Sequence, residues 1–365
     1  MTDMSQNRPN VNAPSGPSRA WVAWLVAGLA VVTVIAGVIA LLGGDNAAPR
    51  ESRLSPRFDY SLGGWDKVDP ELIAYEQTAL YPVEMREARG VAVGPDDTFC
   101  VVGDRALATF SAEGILLGRI DLDDAPRCVA VDRDGTRYVG FKNRVAVFSA
   151  DGQPKAAWEP LDARTILTSI GVGLGDDVGD VFVADAGNRR VLRYDASGKI
   201  QNELATGGGR NPAPPLVIPS PHFDVAVGTD GLVRVVNPGN HRITFFTPEG
   251  LYESPLTWGE PGMQIERFCG CCNPVAIALL GDNRVVTAEK GVPRVKVYSA
   301  DGRFECVVAA PETLGATDAA MGETRPEFKL LTVDLAADRN DRILVLDPSA
   351  RCVRVFTKKE SRQDD

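Results

Sequence analysis

Two patterns of apolar residues divide the chain. Residues 20–42 read AWVAWLVAGLAVVTVIAGVIALL, an unbroken run without a charge. From about residue 90 the pattern becomes short apolar runs of period two, set apart by turns rich in Gly, Asp and Asn. One unit recurs six times. It holds an apolar triplet, a polar turn, a β-run ending near Asp, an Arg-centred second β-run and a Gly turn. The copies begin at Gly90, Cys128, Ile170, Asp224, Val275 and Thr332, and the sixth lacks its Gly turn. Period-two alternation closed by Asp-Gly and Glu-Gly is strand-and-hairpin chemistry. No stripe of period 3.6 runs inside the units, so a helical solenoid is excluded.

Taking Val93, Val131, Val172, Val227, Ile277 and Leu335 as equivalent gives spacings of 38, 41, 55, 50 and 58 residues. Repeats of ~40–50 residues with several short strands each predict propeller blades. The expected fold is therefore all-β, a six-bladed β-propeller of four-stranded blades. Copies one to five continue past their Gly turn into a further run, such as Ile115–Ile120 or Ile200–Leu204, whereas the sixth ends in the charged tail 358–365. A spare strand-like segment, 71–80, precedes the first copy. It is expected to supply the missing outer strand of the last blade, because an open ring would leave two bare sheet edges.

The apolar run 20–42 is long enough to cross a hydrocarbon core of ~30 Å. It lacks a small-x-small cleavage site after it, so we read it as an uncleaved signal anchor. The order is then a disordered tail 1–19, a transmembrane helix 20–42, a linker 43–69, the propeller 70–357 and the tail. A short tail before an anchor favours an extracytoplasmic body. Composition adds one exclusion: 39 Lys+Arg against 49 Asp+Glu leave a net charge of −10, the wrong sign for tracking nucleic-acid phosphates. The expected partners are the membrane and a protein or small-molecule ligand, with a monomeric propeller.

Insertions precede copies four, five and six, at roughly 205–222, 257–272 and 309–330. Blade topology puts all three on the face that also carries the loop between the second and third strands. Long loops on one face of a repeat array commonly form its binding face. The insertion before copy five carries Cys269-Gly270-Cys271-Cys272-Asn273-Pro274. Three sulfurs in four residues suit a redox pair, a metal or iron–sulfur site, or simply unreactive thiols. Cys269 and Cys272 have the CxxC spacing, and Cys271–Cys272 can form a vicinal disulfide. A closed tetrahedral metal site needs a fourth ligand that the run does not supply. The facing loop holds Glu289, Lys290 and Arg294, an acid and two cations that with Asn273 are expected to bind a partner; a plain solvated hairpin is the alternative. Cys100, Cys128, Cys306 and Cys352 sit in apolar runs as small hydrophobes. With two histidines, no GxSxG, no HExxH and no phosphate loop, no enzymatic signature stands out.

The segment VFVADAGNRRVLRYDASGK, 181–199, resembles the NHL repeat, and the other five copies are weaker versions. FCGCCNP (268–274) with TAEKGVPRVKVY (287–298) resembles a bacterial subgroup of membrane-anchored NHL proteins. The resemblance implies the propeller and a binding role, with Asp185 and Asn188 fixing their turn. A second alternative is a lactone or ester hydrolase of the propeller type, which implies calcium held in the channel by Asp, Asn and Glu. The amidating lyases that share this repeat rely on several histidines, which the chain's two do not supply.

Overall fold

The strands form where β-branched and aromatic residues alternate with polar ones, and the turns fall where Gly or Asp allows a positive φ. The computed structural model describes residues 67–173, 179–204, 213–315 and 333–360. Blade one holds β2 (Ala88–Val93), β3 (Phe99–Gly103), β4 (Ala106–Phe110) and β5 (Leu116–Asp121). Blade two holds β6 (Cys128–Val131), β7 (Arg137–Gly140), β8 (Val145–Phe148) and β9 (Pro154–Ala157). Blade three holds β10 (Leu167–Val172), β11 (Val181–Asp185), β12 (Arg190–Tyr194) and β13 (Ile200–Leu204). Blade four holds β14 (Val225–Val227), β15 (Val233–Asn237) and β16 (Arg242–Phe246). Blade five holds β17 (Ala276–Leu279), β18 (Val285–Ala288), β19 (Val295–Tyr298) and β20 (Phe304–Ala309). Blade six holds β21 (Asp334–Ala337), β22 (Ile343–Asp347) and β23 (Cys352–Lys358), with β1 (Tyr75–Pro82) as its outer strand.

Every pairing within a blade is antiparallel, and the inner strands β2, β6, β10, β14, β17 and β21 touch in a closed circle. This is a six-bladed β-propeller. The β1–β23 pair runs from Tyr75 opposite Lys358 to Pro82 opposite Cys352. The segment that closes the last blade thus starts and ends later than the 71–80 read from sequence, because Pro70–Leu72 form a single 3-10 turn. The apolar segment 20–42, expected to be an anchor, lies outside the described residues. Among those described, no helix is long and apolar enough to cross a membrane.

Blade four departs from the expected four regular strands. Its outer position is marked only by the isolated bridges Phe246–Tyr252 and Ile243–Trp258. The intervening Ser254–Leu256 is a 3-10 turn built on Pro255, which has no N–H to offer a ladder.

Six apolar clusters form the core, one at each joint between neighbouring blades. The Gly turns explain their own sequence signal. A Cβ on Gly302 would lie 2.2 Å from the Trp258 ring, and one on Gly198 would lie 2.3 Å from Trp158. Each glycine is the socket for an aromatic ring from the preceding blade, and both have positive φ. Asp185 is fully buried and accepts from the Ile166 and Asn188 N–H groups and from Arg190, holding its turn. Cys100, Cys128, Cys306 and Cys352 are buried.

Candidate functional site

The insertion before blade five is pinned from below. Trp258 exchanges backbone bonds with Ile243 (2.9 and 3.2 Å), and its ring meets those of Phe268 and Tyr298 at 6.2 and 4.9 Å. The strand β19 supplies the polar half of the platform. Lys296 Nζ donates to the carbonyls of Ile265 (2.9 Å) and Arg267 (2.8 Å), and the Tyr298 hydroxyl donates to that of Glu266 (3.1 Å).

Next comes the cysteine run. The Cys269 N–H donates to Glu289 Oε1 at 3.0 Å, and Glu289 Oε2 accepts from Arg294 Nε at 2.7 Å with Lys296 Nζ at 3.3 Å. Asn273 Nδ2 donates to the Cys269 and Lys290 carbonyls (2.6 and 3.0 Å), and its Oδ1 accepts the Lys290 N–H at 2.9 Å. His241 Nε2 lies 2.7 Å from the Gly270 carbonyl. The loop is held at Cys269, Gly270 and Asn273, on either side of the two adjacent cysteines.

These bonds relocate the residues expected on the surface. Asn273, Glu289, Lys290 and Arg294 are 1%, 0%, 7% and 2% exposed. The loop between β18 and β19 is therefore not a solvated hairpin. It folds beneath the cysteine run, because the Cys269 N–H and the two buried cations require the Glu289 carboxylate. Burial outweighs the attraction of Glu289 and brings Lys296 down to about 8.

The three thiols have separate environments. Cys269 is buried, with its thiol pushed up first by burial and then by Glu289. Cys271 is exposed, Cys272 is buried, and their sulfurs lie 3.2 Å apart. The structure thus brings together Cys271 with Cys272. Ser220, from the end of the insertion before blade four, donates to Cys272 Sγ at 3.7 Å and accepts from Lys290 Nζ at 2.7 Å. Burial acts to raise the Cys272 thiol, but hydrogen bonds from Lys290, Cys271 and Ser220 and the Lys290 charge overcome it and set it below its ordinary value. Cys271 is shifted upward, first by its hydrogen bond with Cys272. Among the described residues, no group of three or more His, Cys, Asp or Glu is arranged to hold a metal ion.

Next to this site lies the mouth of the central channel. A cavity of about 640 Å³ runs between the inner strands of all six blades and is lined by His222, Asp224, Asp334 and Cys128, among others. Burial, then the Lys290 charge, hold His222 down at about 4. Three residues before the end of each inner strand, the ladder places Gly90, Cys128, Ser169, Asp224, Ala276 and Asp334. Three of these reach the next blade. Asp224 Oδ2 accepts the Ile277 N–H (2.6 Å), Asp334 Oδ2 accepts the Val91 N–H (2.8 Å), and Ser169 Oγ accepts the Val225 N–H (3.3 Å). Burial raises both carboxyls above the usual range, and Asp224 raises Asp334 further.

Ser220, Lys296, Asp224 and Asp334 escaped the sequence reading. Lys296 was visible as a cation inside the apolar run V-K-V. Asp224 opens copy four in its correct register and carries no local signal of its bond to Ile277. Asp334 is masked by register, since the residues equivalent to Val93 in blades five and six are Leu279 and Ala337, two positions beyond Ile277 and Leu335. A shift of two keeps every side chain on its face, so the fold reading survived it.

No protein-family model and no curated protein matches the chain. Solved structures do. A streptogramin B lyase aligns at TM-score 0.53 and 13% identity, covering 78% of this chain and 98% of that one. A virginiamycin B lyase from Staphylococcus aureus aligns at 0.52 and 14%, covering 78% and 100%. The WD40 β-propeller domain of Doa1 aligns at 0.51 and 14%, covering 79% and 98%. What they share with this chain is the propeller. At such identities the likeness is one of fold, and fold leaves function open.

Proposed function

We propose that this protein is a membrane-anchored binding module of the NHL type, which meets a protein or small-molecule partner through the face bearing Cys271 and Cys272. One observation carries the reading: an exposed Cys271 stands on a loop held by buried polar bonds from Glu289, Asn273 and Lys296. Ordering such a loop before a partner arrives removes much of the entropic cost of binding. The channel mouth beside it, lined by His222, adds a concave surface of the sort that takes ligands. Residues 20–42 supply the anchor in this reading and leave the propeller outside the cytoplasm.

The test compares Cys271 in two settings, using the full chain. In open membrane sheets from producing cells, a partner on this face slows maleimide labelling of Cys271 several-fold relative to the purified protein. Equal rates overturn the reading. Release of the chain by alkaline carbonate overturns the anchor.

A further inference from the structure

Two sulfurs 3.2 Å apart, one exposed and one buried, do not have equal chemistry. An incoming group reaches Cys271 first. Cys272 lies behind it, where Ser220 donates to its sulfur and Lys290 donates to Ser220. We propose that Cys271 and Cys272 form a thiol–disulfide exchange couple, in which a partner's thiol is exchanged at Cys271 and Cys272 is the leaving and resolving sulfur. This rests on the reading of that face as the partner face and names the partner chemistry, a thiol or dithiol.

In the oxidised couple Cys271 is bonded to Cys272. A partner thiolate, R–S⁻, attacks Cys271 Sγ, an R–S–S–Cys271 bond forms, and the Cys271–Cys272 bond breaks with its electron pair going to Cys272. A second partner thiol then attacks the R sulfur and displaces Cys271, which takes up a proton. The partner dithiol becomes a disulfide, and two protein thiols are formed. A partner disulfide runs the same steps backwards and regenerates the couple.

Three observations fit these roles. A low-pKa thiol leaves faster, and the groups around Cys272 favour its thiolate. Cys271, the outer sulfur, is shifted the other way, first by its hydrogen bond with Cys272. Hydrogen bonds that stabilise the reduced form make a couple more oxidising, and Ser220, held by Lys290, donates such a bond to Cys272 Sγ. Cys269 is excluded from the exchange by its burial beneath the loop and its raised thiol.

The experiment uses the purified full chain, glutathione and glutathione disulfide, with peptide mass spectrometry. Glutathione disulfide should give a transient adduct on Cys271, followed by a Cys271–Cys272 bond. In Cys272→Ser and Cys272→Ala the Cys271 adduct should persist, and in Cys271→Ser adduct formation should fall at least tenfold. At a fixed glutathione ratio, Lys290→Gln should raise the oxidised fraction several-fold and move the pH at which the adduct resolves upward. An adduct first seen on Cys272 overturns the proposal, as does a wild-type adduct that never resolves or a Lys290→Gln chain with unchanged oxidation. Failure here with Cys271 still shielded in membranes leaves the binding face standing and removes only its thiol chemistry.

Discussion

Two joints of the ring, on either side of blade five, are held by different forces. Between blades five and six, 18 buried apolar residues form one cluster, including Val286, Val297, Ile343, Val345 and Phe356. Between blades four and five the cluster has five: Val236, Ile243, Phe245, Ile277 and Val285. Polar bonds cross both joints. At the first, Asp341 accepts from the Gly281 N–H (2.9 Å) and from Arg284 (3.1 Å). At the second they carry a larger share. Asp224 holds the Ile277 N–H, Asn283 Oδ1 accepts from the Thr229 N–H (2.9 Å), and Lys290 reaches Ser220. Apolar burial gives stability without direction, whereas hydrogen bonds fix position. The candidate site stands beside the joint with the smaller apolar cluster, where hydrogen bonds weigh more.

The largest expected effect tests the polar side. Glu289→Ala strands Arg294 and Lys296 without their carboxylate and should cost about 3–5 kcal/mol in chemical denaturation. It should also change the Cys271 labelling rate in the protein that remains folded. A loss of stability with unaltered labelling would separate the network from the site and break the comparison.

Ile343→Ala should cost about 2–5 kcal/mol through the cavity it leaves in the apolar joint. Here the Cys271 labelling rate should stay as in the wild type. A changed rate would show that the two joints are coupled.

The pH dependence comes next. Asp224 and Asp334 are raised from 3.8 to about 6 and about 7, so the folded chain holds their protons more tightly than the unfolded one. Their contribution to stability is full below pH ~4 and is lost as the pH rises through about 7. His222, lowered from 6.5 to about 4, acts in the opposite sense: its contribution is full above 6.5 and is lost as the pH falls towards 4. Asp334→Asn, which keeps an acceptor for the Val91 N–H, should flatten the unfolding midpoint between pH 5 and 8. An unchanged slope would remove Asp334 as its source.

The smallest effect sharpens the comparison. Asn283→Ala removes the acceptor for Thr229 and should cost about 1 kcal/mol. Thermal unfolding against the wild type reads it directly.

Much of this molecule can be read from its chain because each blade repeats the same local physics. Gly198 and Gly302 announce their turns, and the sockets for Trp158 and Trp258 show why no other residue serves. Blade four was harder: LYESPLTW has the apolar content of an outer strand, and only Pro255 argues against one. At the site, the cysteine run and its facing loop were legible as neighbours from blade topology. The burial of Glu289 and Arg294 was not, since a charged hairpin reads alike whether water or a folded-back loop covers it. Ser220 lies 70 positions from Lys290, and no local pattern links them.

The closing pair also sets a timetable. Thr78 and Thr357 face each other across β1 and β23, 279 positions apart. As the chain is synthesised, β1 emerges before every other strand and has no sheet to join until β23 has been made. Earlier blades can form meanwhile, but the ring remains open, with the inner strand of blade one unlatched until Asp334 arrives. Pairing across so long a loop is slow, and it leaves strand edges bare while it is pending. The danger of mispairing with another chain therefore lasts until β23 is made, and a stop codon before β23 would make it permanent.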